Sequence, residues 1–338
     1  MGSSKAQVPD GDGNRLDACA VSVYSSRESS DVLAQTLRCC LWATTGMNAS
    51  VDVIVNGNPS LASIAANLPV VRATVGGKIR LRVWNVMLGD KAFAWNEYVH
   101  RLAPPAQTYV FIDGYVQVEE GSLKRLSQIL QNADNALAAT GLPTTGWSAA
   151  KVSASMRRNG GIHGNLYALK ANAMAEFRRI GFKLPLGLYR TDSTLGAALA
   201  FGLNLFAREW RPLERILIDD QVAWRIKPLA WWRPDDLLTF YRRRKRQGHG
   251  QLENKAVSDV FAVRRMPFES LPGTTAELVG DWVKSRPDEA QAMLARSDLA
   301  RRALRVLQEE RCWALAKKMP ECVYDSSQAL KTSDVSVN

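Results

Sequence analysis

Metal and disulfide chemistry have little to work with in this sequence. Its 338 residues include three histidines and five cysteines. Cys19, Cys39, Cys40, Cys312 and Cys322 form no CxxC pair. A structural zinc site or a disulfide framework therefore has no support, and a reducing, cytoplasmic setting is the simpler expectation. No apolar run approaches the roughly 18 to 20 residues that a membrane span requires. The opening stretch "MGSSKAQVPDGDGNRLD" lacks the apolar centre of a secretory signal, so neither an integral membrane protein nor an exported one is expected.

Negative charge is also in short supply. Forty-four Lys and Arg face 33 Asp and Glu, a net charge of +11 with a pI near 9.6. Such a field attracts polyanions, whether nucleic acid, anionic lipid or sugar diphosphates. Its sharpest concentration is the unbroken run Arg242, Arg243, Arg244, Lys245 and Arg246. No RNP-like, zinc-finger or helix-turn-helix pattern accompanies that run, so no nucleic-acid partner is expected. Trp224, Trp231 and Trp232 lie close by in sequence, beside Arg225, Lys227 and Arg233. Tryptophan among cations suits a membrane interface, sugar stacking or plain core packing.

What the sequence does have is core material, with 46% hydrophobic residues. Residues 1–17, rich in Gly, Ser, Asp and Asn, read as a flexible tail. Beyond them the pattern alternates. "CAVSVYSS", "VDVIVNG", "KIRLRVWNV" and "TYVFIDG" read as strands, and helical spacing follows each of them. Strands alternating with helices imply an α/β fold whose mostly parallel sheet is flanked by helices on both faces. Such sheets bind ligands at the carboxyl ends of their strands, where Ser25, Asn56 and Asp113 fall. After residue 140 the alternation breaks down, with a short strand "NLYALK" and a helix at 171–180. A basic helix follows, with Pro234 in its first turn and Gly248 at its end. From about Thr274 to Met319 the periodicity is helical.

Asp113 is the sharpest local feature, an acid at the end of an apolar run in "YVFIDGYVQVEEGSL". There it suits metal ligation, a hydrogen bond to a ligand, or capping of the following turn. Asp90 and Lys91 open a helix, where capping is equally natural. Arg242 and Arg246 share one helical face, so the five cations cannot all meet one ligand. His163 lies in the glycine-rich "NGGIHGN", where a lone histidine suits a structural role as well as contact with a phosphate or acceptor.

Taken together, and in this order, "VSVYSSRESSDVLAQTLRCCL", "VDVIVNGNPS", "LGDKAFAWNEYVHRL", "YVFIDGYVQVEEGSLKRLSQIL", "HGNLYALK", "LPLGLYRTDSTLGAAL" and "YRRRKRQGHGQLE" resemble the successive motifs of family 2 glycosyltransferases. The resemblance implies a GT-A-like domain over 18–262, a helical C-terminal extension over 263–338, and inverting transfer of a hexosyl group from a nucleoside diphosphate sugar. It makes Asp192 the general base and places Ser25, Asn56, Lys91, Asp113, Arg243 and Arg244 at the donor. Asp113 would also ligate a divalent cation, Mn or Mg, but Tyr115 stands where the family has the second acid of its DXD pattern. Asn56 and Thr191 likewise replace expected acids. The implied acceptor is a glycan or lipid-linked glycan, met by peripheral contact at the inner face of a membrane. The alternative is a catalytically impaired relative that binds a nucleotide sugar or a protein partner.

Overall fold

The structure, a computed structural model, describes residues 17–74, 78–146, 148–204, 206, 209–227 and 232–328, excepting the side chains of 234–236, 238–240, 242 and 243. The first half runs β1 (Asp17–Ser25), α1 (Ser30–Ala43), β2 (Ala49–Asn56), α2 (Pro59–Ala66), α3 (Pro69–Arg72), β3 (Ile79–Val86), α4 (Lys91–Glu97), β4 (Ala106–Asp113), β5 (Gln117–Val118), α5 (Ser122–Gln131) and β6 (Ala138–Pro143). It continues through α6 (Ala149–Asn159), β7 (Leu166–Lys170), α7 (Ala171–Arg179), α8 (Thr191–Ala200), α9 (Pro212–Arg215), β8 (Ile216–Arg225) and α10 (Pro234–Ser258). The described residues go on to α11 (Thr275–Ser285), α12 (Pro287–Arg296), α13 (Asp298–Gln308) and β9 (Glu321–Asp325).

Among the described residues, all strands join one nine-stranded sheet in the order β5-β8-β6-β7-β4-β1-β2-β3-β9. The four expected strands form its parallel centre, β4-β1-β2-β3. Outward from that centre the sheet is mixed. β7 runs antiparallel to β4, β6 antiparallel to β7, and β8 parallel to β6. Every residue of β2 is buried, as a strand covered on both faces requires. Side-chain alternation feeds two cores. Tyr24, Tyr109 and Phe111 join Trp95, Tyr98, Tyr167 and Phe177 on one face, while Val21, Val23, Val110 and Ile112 meet Leu33, Leu37 and Leu126 on the other.

A buried ion pair lies within this centre. Asp52 is fully enclosed on β2 and lies opposite Arg82 of β3. Arg82 donates to both its oxygens, at 2.7 and 2.9 Å, and Trp84 Nε1 donates at 2.9 Å. The fork satisfies the carboxylate, which is the condition on which a buried ion pair is tolerated. The paired acid holds the guanidinium well above its ordinary range against the opposing effect of burial.

The later chain departs from the sequence reading in three places. Gly248 does not end the basic helix; α10 continues to Ser258. A Cβ at Gly248 would stand 2.2 Å from Leu299 O, so the glycine lets α10 and α13 touch backbone to backbone. Strands β6 and β8 lie where the sequence reading placed no strand. The segment after residue 263 holds more than helices, since β9 pairs antiparallel with β3 and closes that edge of the sheet. Residues 1–16 lie outside the described residues, and β1 already begins at Asp17.

Candidate active site

Parallel strands that start in register also finish together. Tyr24 of β1 lies beside Asp113 of β4, and Ser25 lies beside Val55, one residue before Asn56. Ser25, Asn56 and Asp113 therefore share the carboxyl edge of the sheet. Packing there is tight. A Cβ on Gly114 would meet Tyr24 O at 2.8 Å and Ser25 Cβ at 2.9 Å. Gly57, at φ +71, would place a Cβ 2.3 Å from Gly89 Cα, so the loops after β2 and β3 touch directly. Ser25 turns toward its own loop and donates to Glu28 at 2.8 Å, while Glu28 also accepts from the amides of Ser26 and Arg27. Asn58 caps α2 by accepting from Leu61 N and donates to Ser26 O, both at 3.0 Å.

Asp113 is already partnered. Lys91, the first residue of α4, pairs with its Oδ1 and also reaches Gly164 O at 3.4 Å. The Tyr115 hydroxyl lies 3.1 Å from Asp113 Oδ2 and 3.0 Å from Asn165 Oδ1. Where the family pattern expects a second acid, this chain has a hydroxyl that can donate to the first. Asp90, beside Lys91, does cap α4: its Oδ1 accepts from Phe93 N at 2.8 Å, and Oδ2 accepts from Gly187 N at 2.9 Å. Burial raises its carboxyl against those bonds.

The donor set does not fit a divalent site made by protein alone. One carboxylate shared between an ammonium and a hydroxyl is too few oxygens for Mn or Mg, and no group of three His, Cys, Asp or Glu suited to a metal occurs among the described residues.

On the other side of Lys91 stands Asp192. It sits in the first turn of α8, whose N-cap is Arg190. A Cβ at Gly164 would lie 3.4 Å from Asp192 Oδ2, so Asp113, Lys91, Gly164 and Asp192 form a continuous chain of contacts. His163 packs its ring against Trp224 at 4.7 Å between centroids, and its Nδ1 accepts from Asn165 N at 3.2 Å. Burial lowers its pKa, Asp192 and Asp113 oppose that shift, and Lys91 adds to it. The histidine is thus part of the cluster, and Trp224 serves packing on β8.

The basic run is described only in part. The side chain of Arg243 and all of Trp231 lie outside the described residues. Arg244 is exposed, roughly half a helical turn around α10 from Arg246. Arg246 instead faces the Asp192 loop, its guanidinium 5.8 Å from the Tyr189 ring, which Arg190 also approaches at 5.8 Å. Glu253, one face of α10 further on, is 1% exposed and accepts from Tyr189 N at 3.0 Å and Arg190 N at 2.8 Å. Sequence reading passed over Arg190 and Glu253, and within the basic run it favoured Arg243 and Arg244 over Arg246. The available signal was the i, i+4, i+7 spacing of residues 246, 250 and 253, which places them on one helical face. A separate cavity of about 300 Å³ is lined by Phe93, Lys183, Leu186, Phe268 and Pro272 among others. None of the candidate site residues lines it.

An α/β sheet with a parallel centre, carrying acids and cations at its carboxyl edge and helices on both faces, is a fold that a glycosyltransferase shares. The mannosyltransferase PcManGT from Pyrobaculum calidifontis, solved in complex with GDP-Man and Mn2+, is similar at TM-score 0.51 and 14% identity, over 87% of this chain and 84% of that chain. No protein-family model and no curated protein sequence matches the chain.

Proposed function

We propose that this protein transfers a hexosyl group from a nucleoside diphosphate sugar to a hydroxyl acceptor, with inversion at the anomeric carbon, in the manner of family 2 glycosyltransferases. The contact chain Asp113–Lys91–Gly164–Asp192 carries the reading, because it brings the strand-end acid and the second carboxylate to one site, with Lys91 and Gly164 between them. Asp192 takes the proton of the acceptor hydroxyl. The freed oxygen attacks the anomeric carbon, and the bond to the diphosphate breaks with its electrons passing to the leaving phosphate.

Each remaining residue has a task in this scheme. Lys91 holds positive charge beside the strand ends, where a diphosphate would accumulate negative charge, and Asp113 orients it. Ser25 and Asn56 line the nucleotide side. Arg243 and Arg244, together with Arg190 and Arg246 around the Tyr189 ring, supply cations to the donor. The acceptor we favour is a glycan or lipid-linked glycan, reached from the cytoplasmic face of a membrane in polysaccharide biosynthesis. Exposed Trp232, Leu237 and Tyr241 beside Arg244 and Lys245 support that contact. Among the described residues, no helix is long and apolar enough to cross a membrane.

Transfer and hydrolysis with a panel of donors, GDP-Man included, each with EDTA and with Mn2+ or Mg2+, test the reading. Turnover is expected, and Asp192→Asn lowers kcat on the order of 10²- to 10⁴-fold with donor affinity preserved. Full activity of that variant would reject Asp192 as the base. A second reading, a relative that binds the donor without turning it over, is favoured by Asp113 being neutralised by Lys91 and by Tyr115 in the second acid's place. Donor binding without turnover under every metal condition would establish it.

A further inference from the structure

Glu253 is a carboxylate with no role in the scheme above, and its surroundings are unusual. It sits on α10, 1% exposed, and gives one oxygen to each of two consecutive backbone amides, Tyr189 N and Arg190 N. Those amides immediately precede α8, where N–H groups have no partner within the helix and the dipole favours an anion. Arg190, the N-cap, supplies no side-chain cap of its own. Its stem crosses α10 at Gly250, where a Cβ would come within 2.6 Å of Arg190 Nε. A side chain at residue 250 would displace the Arg190 side chain from its place against α10. Asp192 follows two residues later, at the edge of the contact chain already described.

We infer that Glu253 is a positioning residue: its two hydrogen bonds fix the Tyr189–Arg190 backbone on α10 and so set where the Asp192 carboxylate stands. The assignment of Asp192 rests on the transfer reading; the anchoring of the loop does not. A carboxylate accepts from both amides, whereas a protonated carboxyl or an amide turns one donor toward an N–H and loses a bond. Burial raises the Glu253 carboxyl to about 7; the two amide bonds and Arg190 oppose this, and Asp192 adds to it. The charged or titratable groups around it are Arg190 and Asp192 from the loop and α8, with Arg246 and His249 on its own helix. The ionised form that holds both amides is therefore lost across the neutral range.

The test is hydrogen exchange of the full chain over 186–195, corrected for intrinsic rates, in the wild type and in Glu253→Gln. Protection of this segment should fall by roughly tenfold in the variant, and in the wild type between about pH 8 and pH 6. With a donor that turns over, kcat of the variant should fall by about tenfold with donor KM within about twofold, and the acid limb of the wild-type pH profile near neutrality should flatten. Unchanged protection in the variant, or an acid limb retained in it, overturns the inference. If the variant fails to fold, the wild-type exchange profile alone decides, and a flat profile counts against. If no donor turns over, the transfer reading fails while the exchange result still judges the anchoring.

Discussion

The partner of Asp113 is a lysine 22 residues upstream in sequence, and that pairing gives the site its character. An acid beside an ammonium is neutral as a unit, so an incoming diphosphate meets the lysine without the full repulsion of a bare carboxylate. Lys91→Ala should weaken donor binding by roughly tenfold, a modest figure because the lysine is partly exposed. Isothermal titration with the productive donor checks it, and the same variant should gain dependence on added divalent cation. Asp113 itself was legible, because an aliphatic run that stops on an acid is a local pattern. Its pairing with Lys91 was not, nor was the hydroxyl of Tyr115, since both depend on how separate loops meet above the sheet. Glu253 escaped for the same reason: its partners lie 63 and 64 residues away, and on α10 it reads as one more surface acid.

At the scale of elements, the parallel centre could be read directly and the outer strands could not. β1 to β4 are apolar runs bounded by turn residues. β6 is "AATGLP", with glycine and proline in six residues, and β8 carries Asp219 and Asp220 in its middle. Tertiary contacts rescue both. A bulge separates Gly141 from Leu142 in the β6–β8 pairing, and a Cβ at Gly141 would lie 2.3 Å from Val222 O. Asp219 meets Arg125 of α5 at 2.8 Å. Glycine in α10 misled in the opposite direction, since Gly248 resembles a helix end and instead permits a helix crossing. Gly248→Ala, which normally favours a helix, should here cost about 1 to 3 kcal/mol. A lowered midpoint in chemical denaturation with an unchanged slope would show it.

For the molecule as a whole, one buried group links stability to pH in a direction opposite to the usual carboxylate. Glu253 has its carboxyl raised from 4.5 to about 7 in the folded chain. Between those values the native state keeps a proton that the unfolded chain has released. The stabilising contribution is complete below pH 4.5 and is lost as pH rises through 7. Its full size is about 3 kcal/mol. Denaturation midpoints measured across that window should therefore decline more steeply in the wild type than in Glu253→Gln; parallel curves would mean that the group titrates normally. The parallel centre of the sheet, with Ser25, Asn56, Lys91 and Asp113 at its carboxyl edge, follows from the first 113 residues. The second half supplies the groups that hold Asp192, and there the sequence speaks only through contacts it does not reveal.

The edge strand β9 also bears on how the protein is made. Arg80 and Asp325, joined at 2.7 Å across the β3–β9 edge, are 245 residues apart. On a ribosome adding about 5 to 20 residues per second, the outer edge of β3 stays unpaired for on the order of ten seconds or more after it emerges. During that interval the nascent sheet offers an open row of amides and carbonyls to any neighbouring chain. Translation speed and chaperone supply, rather than the stability of the finished fold, would then govern how much active protein a cell recovers.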